Sequence, residues 1–170
     1  MPRRSAGLLP YRIADDGTLL LFVVHPGGPF WAQKDEGAWS VAKGEYVEGE
    51  EASAAAEREF AEEVGVPAPP GPRIDLGTVE QSGRKVVSVW AVEVSDFEVP
   101  QVVSNQFELE WPPKSGRLRS FPEVDRAEWM PAATARVKLV KAQVAFVDRL
   151  IDRLDDTDTG GPATTPAAES

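Results

Sequence analysis

Apolar positions along the chain change period several times, and each change marks an element. Residues 7–13 and 18–25 read as two strands, and Asp15-Asp16-Gly17 between them predicts a hairpin turn. Leu19 to Val24 is apolar throughout, which predicts a strand covered on both faces. A loop follows, His25-Pro26-Gly27-Gly28-Pro29, with Phe30 and Trp31 at its end, and Trp39 to Ala42 predicts a short strand ending at Gly44. From 50 to 64 the period becomes helical. Ala56, Phe60 and Val64 recur at i, i+4 and i+8, Ala54 and Ala55 favour a helix, Gly65 stands where a C-terminal cap belongs, and Pro67 blocks continuation.

After a proline-rich loop from Pro67 to Pro72, residues 74–81 and 85–94 predict a second hairpin around Ser82-Gly83. Ser95 to Phe121 reads as irregular. Within it, Ser104 to Arg119 forms a longer loop than a compact fold requires, and long ordered loops often carry function. Ala127 to Met130 predicts a short last strand. Residues 137–154 predict an amphipathic helix through Leu139, Val140, Val144, Phe146, Val147, Leu150 and Leu154. The tail from Asp155 to Ser170 is expected to be disordered. Strands interspersed with helices, with hairpins present, predict an α/β domain over 1–154 with a mixed sheet and helices on its faces.

Composition narrows the chemistry. The chain has no cysteine and one histidine, His25. Disulfides, thiolate zinc sites and cysteine nucleophiles are therefore excluded, and histidine-based metal or serine schemes have little to build on. The remaining ligands are carboxylates, carbonyls and water, which suit magnesium or manganese. The formal net charge of -10 repels nucleic-acid backbones, so no nucleic-acid partner is expected. It repels polyphosphates too, unless bound cations reverse the charge locally. No apolar run reaches the roughly 18 residues of a membrane span. The basic start Met1-Pro2-Arg3-Arg4-Ser5 is followed only by a strand-like stretch, a poor signal peptide. A cytoplasmic location is expected.

The chemistry concentrates between Gly44 and Val66. On a helix, Glu59, Glu62 and Glu63 stand at i, i+3 and i+4, on one face. Like charges so placed repel by about 0.2–0.5 kcal/mol per pair, and a divalent cation would offset this. Arg58 lies beside Glu59 and two turns after Glu50, so an Arg58–Glu50 pair is sterically feasible. Gly44 lets the backbone turn and present its carbonyl. Taken singly, each feature has an ordinary explanation: a solvated acidic face, a helix cap at Gly65, a surface ion pair at Arg58.

The whole string is far more restrictive. It resembles the Nudix box, G-x5-E-x7-R-E-U-x-E-E-x-G-U with U apolar, met by Gly44, Glu50, Arg58, Glu59, Phe60, Glu62, Glu63, Gly65 and Val66. The resemblance implies a Nudix fold, an α/β/α sandwich around a mixed sheet. It implies hydrolysis of a pyrophosphate bond in a nucleoside diphosphate derivative, with Mg2+ or Mn2+. Carried over, Glu59, Glu62 and Glu63 surround the metals with the Gly44 carbonyl nearby, and Arg58 and Glu50 support the site. Glu123, six residues before Trp129, matches a further glutamate that supplies a ligand or base in several members; Glu108 and Glu110 are weaker candidates for that task. Either Glu59 or Glu62 accepts the proton of the attacking water.

Trp39-Ser40-Val41-Ala42-Lys43-Gly44 is similar to the W-x-x-P-K-G lead-in of dinucleoside polyphosphate and inositol-pyrophosphate hydrolases, with Ala42 in place of the proline. This makes Lys43 and Trp39 candidate substrate contacts, and favours a nucleoside triphosphate or dinucleoside polyphosphate. Trp31, Trp90 and Trp111 are further aromatic candidates for a base. The tyrosine and proline that mark other subfamilies downstream of the box are absent from Gly77 to Ser88, as are the NADH and coenzyme A signatures. The alternative is a non-catalytic module that binds a small nucleotide and senses it. Monomer and homodimer both stay open.

Overall fold

β1 (Arg3–Ile13) is the strand on which the sheet is organised. The computed structural model describes residues 3–99 and 101–164. One edge of β1 is shared by two partners. Its end pairs antiparallel with β2 (Leu19–Pro26), through Tyr11 opposite Leu21, and its start pairs antiparallel with β3 (Ala42–Glu45), through Ala6 opposite Gly44. The other edge runs parallel to β5 (Lys85–Glu93) from Arg3 to Tyr11. β4 (Arg73–Gln81) closes one side against β5, and β8 (Val124–Pro131) closes the other against β2. The order is β4-β5-β1-β2-β8, a mixed sheet of six strands with β3 beside β1.

Alternation along the strands sends neighbouring residues to opposite faces. Leu8, Phe22 and Val24 pack with Phe60 and Val64 of α1 (Ala52–Val64). Leu9, Leu21 and Val23 pack with Phe146, Val147 and Leu150 of α3 (Val144–Thr164). The sheet is thus covered on both sides, the α/β/α sandwich that the resemblance implies, and the box helix occupies one face by itself. No described helix is long and apolar enough to cross a membrane.

The first two hairpins form where the turns predict them. In the first, the Gly17 N–H donates to the Ala14 carbonyl at 2.8 Å; in the second, Gln81 stands opposite Lys85.

Elsewhere the structure differs from the sequence reading. The stretch expected to be irregular contains a third hairpin, β6 (Gln106–Glu110) and β7 (Leu118–Pro122), forming a separate two-stranded sheet. Neither strand joins a core cluster. β6 does alternate, with Phe107 and Leu109 half-buried between exposed Gln106, Glu108 and Glu110, but over five residues only, and β7 carries no alternation. The strand expected at 39–42 is displaced to Ala42–Glu45; Trp39 and Ser40 make only isolated bridges, to Leu139 and Val24.

The helix expected at 137–154 is broken in two. α2 (Ala132–Lys138) ends where the main chain of Trp39 takes over: its N–H donates to the Lys138 carbonyl at 2.9 Å, and its carbonyl accepts from Val140 at 2.8 Å. A 3-10 turn at Lys141–Gln143 leads into α3. α3 runs to Thr164, so it takes in ten residues of the stretch from Asp155 to Ser170, Gly160, Gly161 and Pro162 among them. Residues 165–170 of that stretch lie outside the described residues.

Candidate active site

The box helix owes its orientation to a two-sided pattern. Ala55, Ala56, Phe60 and Val64 are fully buried against the sheet. The intervening positions turn Glu59, Glu62 and Glu63 toward β3. The helix ends at Gly65, whose φ of 92° lies in the left-handed region and whose N–H donates to the Ala61 carbonyl at 2.9 Å.

β3 runs close beneath these carboxylates. A Cβ at position 44 would overlap the carboxylate of Glu59, so a side chain there requires that carboxylate to move. One residue earlier, the main-chain N–H of Lys43 donates to Glu63 Oε1 at 3.3 Å. The backbone of β3 and the acidic face of α1 are therefore in direct contact.

Arg58 lies at the edge of this contact. Its Nε and Nη2 donate to the two oxygens of Glu50, at 2.9 and 3.0 Å. Its Nη1 donates to Glu59 Oε2 at 2.7 Å and reaches Glu62 at 3.4 Å. The repulsion expected among the box glutamates is thus offset in part by a guanidinium. Arg58 also ties the helix to the loop that carries Glu50. The same contacts, to Glu50 first, push Arg58 upward and fix its charge.

The carboxylates differ in environment. Burial raises Glu59 above its ordinary range, with Arg58 opposing and Glu62 and Glu123 adding to the rise. Burial pushes Glu63 further, to about 8, with Lys43 opposing. Lys43 itself is pushed down, first by burial and then by Lys85, with Glu63 opposing. The side chain of Glu59 is 12% exposed and that of Glu62 is 40% exposed, so Glu62 is the box carboxylate most open to solvent among the Arg58 partners.

Glu59, Glu62, Glu63 and Glu123 share one cavity of about 250 Å³, completed by Gly44, Glu45 and Asn105. Glu123 arrives from the junction of β7 and β8. Its N–H donates to the Asn105 carbonyl at 2.8 Å, and its carbonyl accepts from Gly27 at 3.0 Å. Five box residues, Gly44, Glu45, Glu59, Glu62 and Glu63, each distant from Glu123 by sixty positions or more, are thus brought beside it by tertiary packing. Arg58 takes up oxygens of Glu59 and Glu62 that a cation would use, and among the described residues no three carboxylates already surround one point. The lining carboxylates are hard oxygen donors, which fit a hard divalent cation rather than zinc.

Other candidates lie elsewhere. Trp39 is 2% exposed; its indole N–H donates to Asp35 at 2.8 Å, and its ring meets His25 edge-on at 5.2 Å. It does not line the cavity of the box glutamates. Lys43 is half-buried and does not line the cavity. Trp90 packs against both the α1 clusters, and Trp111 meets Phe30 at 5.6 Å. Glu110 caps its own hairpin turn by accepting from Gly116 at 2.7 Å; neither it nor Glu108 lines the cavity. His25 is fully buried between Asp125 and the Lys34 carbonyl, at 2.9 and 2.7 Å. Asn105 and Glu45 were not singled out in the sequence. Glu45 lies inside the box at a variable position, and Asn105 precedes a strand without local signature.

The comparisons with known proteins agree on the fold. The family model described as the NUDIX domain matches residues 1–153. Among curated proteins, none matches this sequence. Among solved structures, a C. elegans Ap4A hydrolase binary complex is 19% identical, covering 90% of this chain and 98% of its own, with a TM-score of 0.62. The NUDIX domain of Shewanella oneidensis NrtR, complexed with ADP ribose, is 16% identical, covering 91% and 89%, with a TM-score of 0.62. A mutT/nudix family protein from Listeria innocua is 15% identical, covering 94% and 98%, with a TM-score of 0.57. With the acidic box helix set against β3 and the family model spanning nearly the whole domain, the chain belongs to the Nudix hydrolase family, and that membership points to pyrophosphohydrolase activity.

Proposed function

We propose that this protein is a metal-dependent hydrolase that cleaves a pyrophosphate bond in a nucleoside diphosphate derivative, with a nucleoside triphosphate or dinucleoside polyphosphate as substrate. The observation that carries this reading is the single cavity shared by Glu59, Glu62, Glu63 and Glu123 beside Gly44. A five-carboxylate cavity repels a diphosphate unless cations enter with it.

Glu59, Glu62, Glu63, Glu123 and the Gly44 carbonyl are assigned to hold Mg2+ or Mn2+. Such an ion, when bound, neutralises phosphate charge and lowers the pKa of water. The chain's own residues do the rest. Arg58 and Glu50 fix the helix against its entry loop, so the carboxylates keep their relative positions. Gly44 allows Glu59 to reach the main chain of β3. Either Glu59 or Glu62 accepts the proton of the attacking water, whichever keeps a free lone pair. Lys43 supplies positive charge behind Glu63.

The sensor reading is kept as the alternative because a similar fold, that of NrtR, is complexed with ADP ribose. Full retention of the box carboxylates favours the enzyme. The cysteine-free, acidic chain is assigned to the cytoplasm, as a monomer or homodimer with no nucleic-acid partner. The test is phosphate or pyrophosphate release from a panel of nucleoside triphosphates, oxidised guanine nucleotides, dinucleoside polyphosphates, ADP-ribose and NADH. Each runs with magnesium and with manganese, and again with Glu62→Gln. Metal-dependent turnover that the variant loses supports the enzyme; tight binding without turnover of any substrate supports the sensor.

A further inference from the structure

We propose that Asn105 is the side chain that hydrogen-bonds a phosphoryl oxygen of the substrate and so orients the diphosphate in the cavity. The inference rests on the hydrolase reading above and adds a residue to it.

The cavity has a shortage of donors. Five of its side chains are glutamates, Glu45, Glu59, Glu62, Glu63 and Glu123, which when ionised only accept hydrogen bonds. The non-bridging oxygens of a diphosphate also only accept. Neither Arg58 nor Lys43 lines the cavity, and Arg58 is committed to Glu50, Glu59 and Glu62. Asn105 is the one lining side chain, among the described residues, that carries N–H donors. Its amide offers two.

That amide is also free. Asn105 is exposed, and its hydrogen bonds are made by its main-chain carbonyl, which accepts from Glu123 N–H at 2.8 Å and Ser104 Oγ at 3.0 Å. Ser104 Oγ in turn accepts from Val124 N–H at 3.0 Å. The backbone of Asn105 is therefore tied to Glu123 through its own carbonyl, and its neighbour Ser104 is tied to Val124, while the Asn105 side chain makes no hydrogen bond among the described residues. A donor held at a fixed offset from a cavity carboxylate is suited to set the orientation of a bound anion. A purely structural role for this amide would require a partner within the protein.

The test uses magnesium imidodiphosphate, a diphosphate whose bridging nitrogen resists hydrolysis, titrated calorimetrically into wild type, Asn105→Ala and Asn105→Asp. Manganese affinity alone and the melting temperature are measured on the same proteins. Asn105→Ala is expected to weaken imidodiphosphate binding about tenfold, the loss of one hydrogen bond to a charged acceptor. Manganese affinity and melting temperature stay at wild-type values. Asn105→Asp is expected to weaken imidodiphosphate binding further, because it adds a like charge. Unchanged imidodiphosphate binding in Asn105→Ala overturns the assignment. So does an equal loss of manganese affinity, which would make Asn105 a metal contact. If wild type itself fails to bind magnesium imidodiphosphate, the hydrolase reading fails and takes this assignment with it.

Discussion

The space where a side chain on Gly44 would begin is filled by the carboxylate of Glu59. The close approach, not backbone conformation, sets the demand at this position, and the obstacle is the movable end of a side chain on the opposing helix. Gly44→Ala is therefore expected to push Glu59 out of the cavity. Because the end of a flexible side chain gives way rather than backbone or core, stability should fall by no more than about 0.5 kcal/mol. A displacement near 1 Å at a reacting group lowers kcat/KM by about 100-fold. Steady-state kinetics and thermal melts on the same variant check this; wild-type kcat/KM with a lowered melting temperature would separate packing from chemistry and sink the catalytic part.

Arg58 is expected to carry a load that metal can share. It joins Glu50, Glu59 and Glu62 through one guanidinium. Arg58→Met leaves Glu59 and Glu62 on the helix, and Glu50 on the entry loop, without their counter-charge. Arg58 is 39% exposed, so screening limits the loss to about 1 kcal/mol. For a chain of this size that is about 2–4 °C in the metal-free melting temperature. Added magnesium should restore part of the loss, because it supplies positive charge to the same oxygens. Melts in EDTA and in magnesium decide it: an equal loss under both conditions would mean that the two charges do not act on the same repulsion.

Glu63 gives the metal-free protein a pH dependence. Its ordinary value is 4.5, and burial raises it to about 8 in the folded state. The folded chain keeps this proton where the unfolded chain has released it, so this contribution is fully present below 4.5 and is lost as pH rises through about 8. Glu59, also raised by burial, has the same sign. Lys43, pushed below its ordinary 10.5, has the opposite slope at the alkaline end. Urea midpoints in EDTA should therefore fall between about pH 5 and about pH 8, and Glu63→Gln should flatten that fall. Metal binding must displace the Glu63 proton, so metal affinity should drop on acidification. A urea midpoint in Glu63→Gln that keeps the wild-type slope would assign the dependence to other groups.

The parts of this molecule that were legible in the sequence are those fixed by local spacing. Helix α1 declares itself by Ala56, Phe60 and Val64 and stops at Gly65, and the first two hairpins are set by their turns. What escaped depends on distant partners. β1 begins at Arg3 rather than at residue 7 because β5 lies parallel beside it over that length. The last helix breaks at Leu139 because the main chain of Trp39, a hundred positions earlier, captures Lys138 and Val140. β6 alternates over only five residues, and β7 shows no alternation, with Leu118 69% exposed and neither strand in a core cluster. The candidate site divides the same way. Its box glutamates are readable from i, i+3 and i+4, whereas Asn105 enters only through a hydrogen bond to Glu123.

Glu123 offers the sharpest separation of site from scaffold. It reaches the cavity from outside the box, and its main chain, not its side chain, makes the bonds to Asn105 and Gly27. Its carboxylate is exposed and has no ion-pair partner among the described residues. Glu123→Gln keeps shape and backbone while removing one charge from the cavity. Stability should therefore stay within about 0.5 kcal/mol of wild type, the usual range for a surface change. Activity should fall about 10–100-fold if the carboxylate serves the metal, and the metal concentration needed for half-maximal rate should rise. Glu62→Gln, from the box itself, should cost more. Kinetics over a manganese titration distinguish the roles. A lower maximal rate at unchanged metal demand would move Glu123 from metal ligand to proton acceptor, and full activity at every metal concentration would remove it from the site.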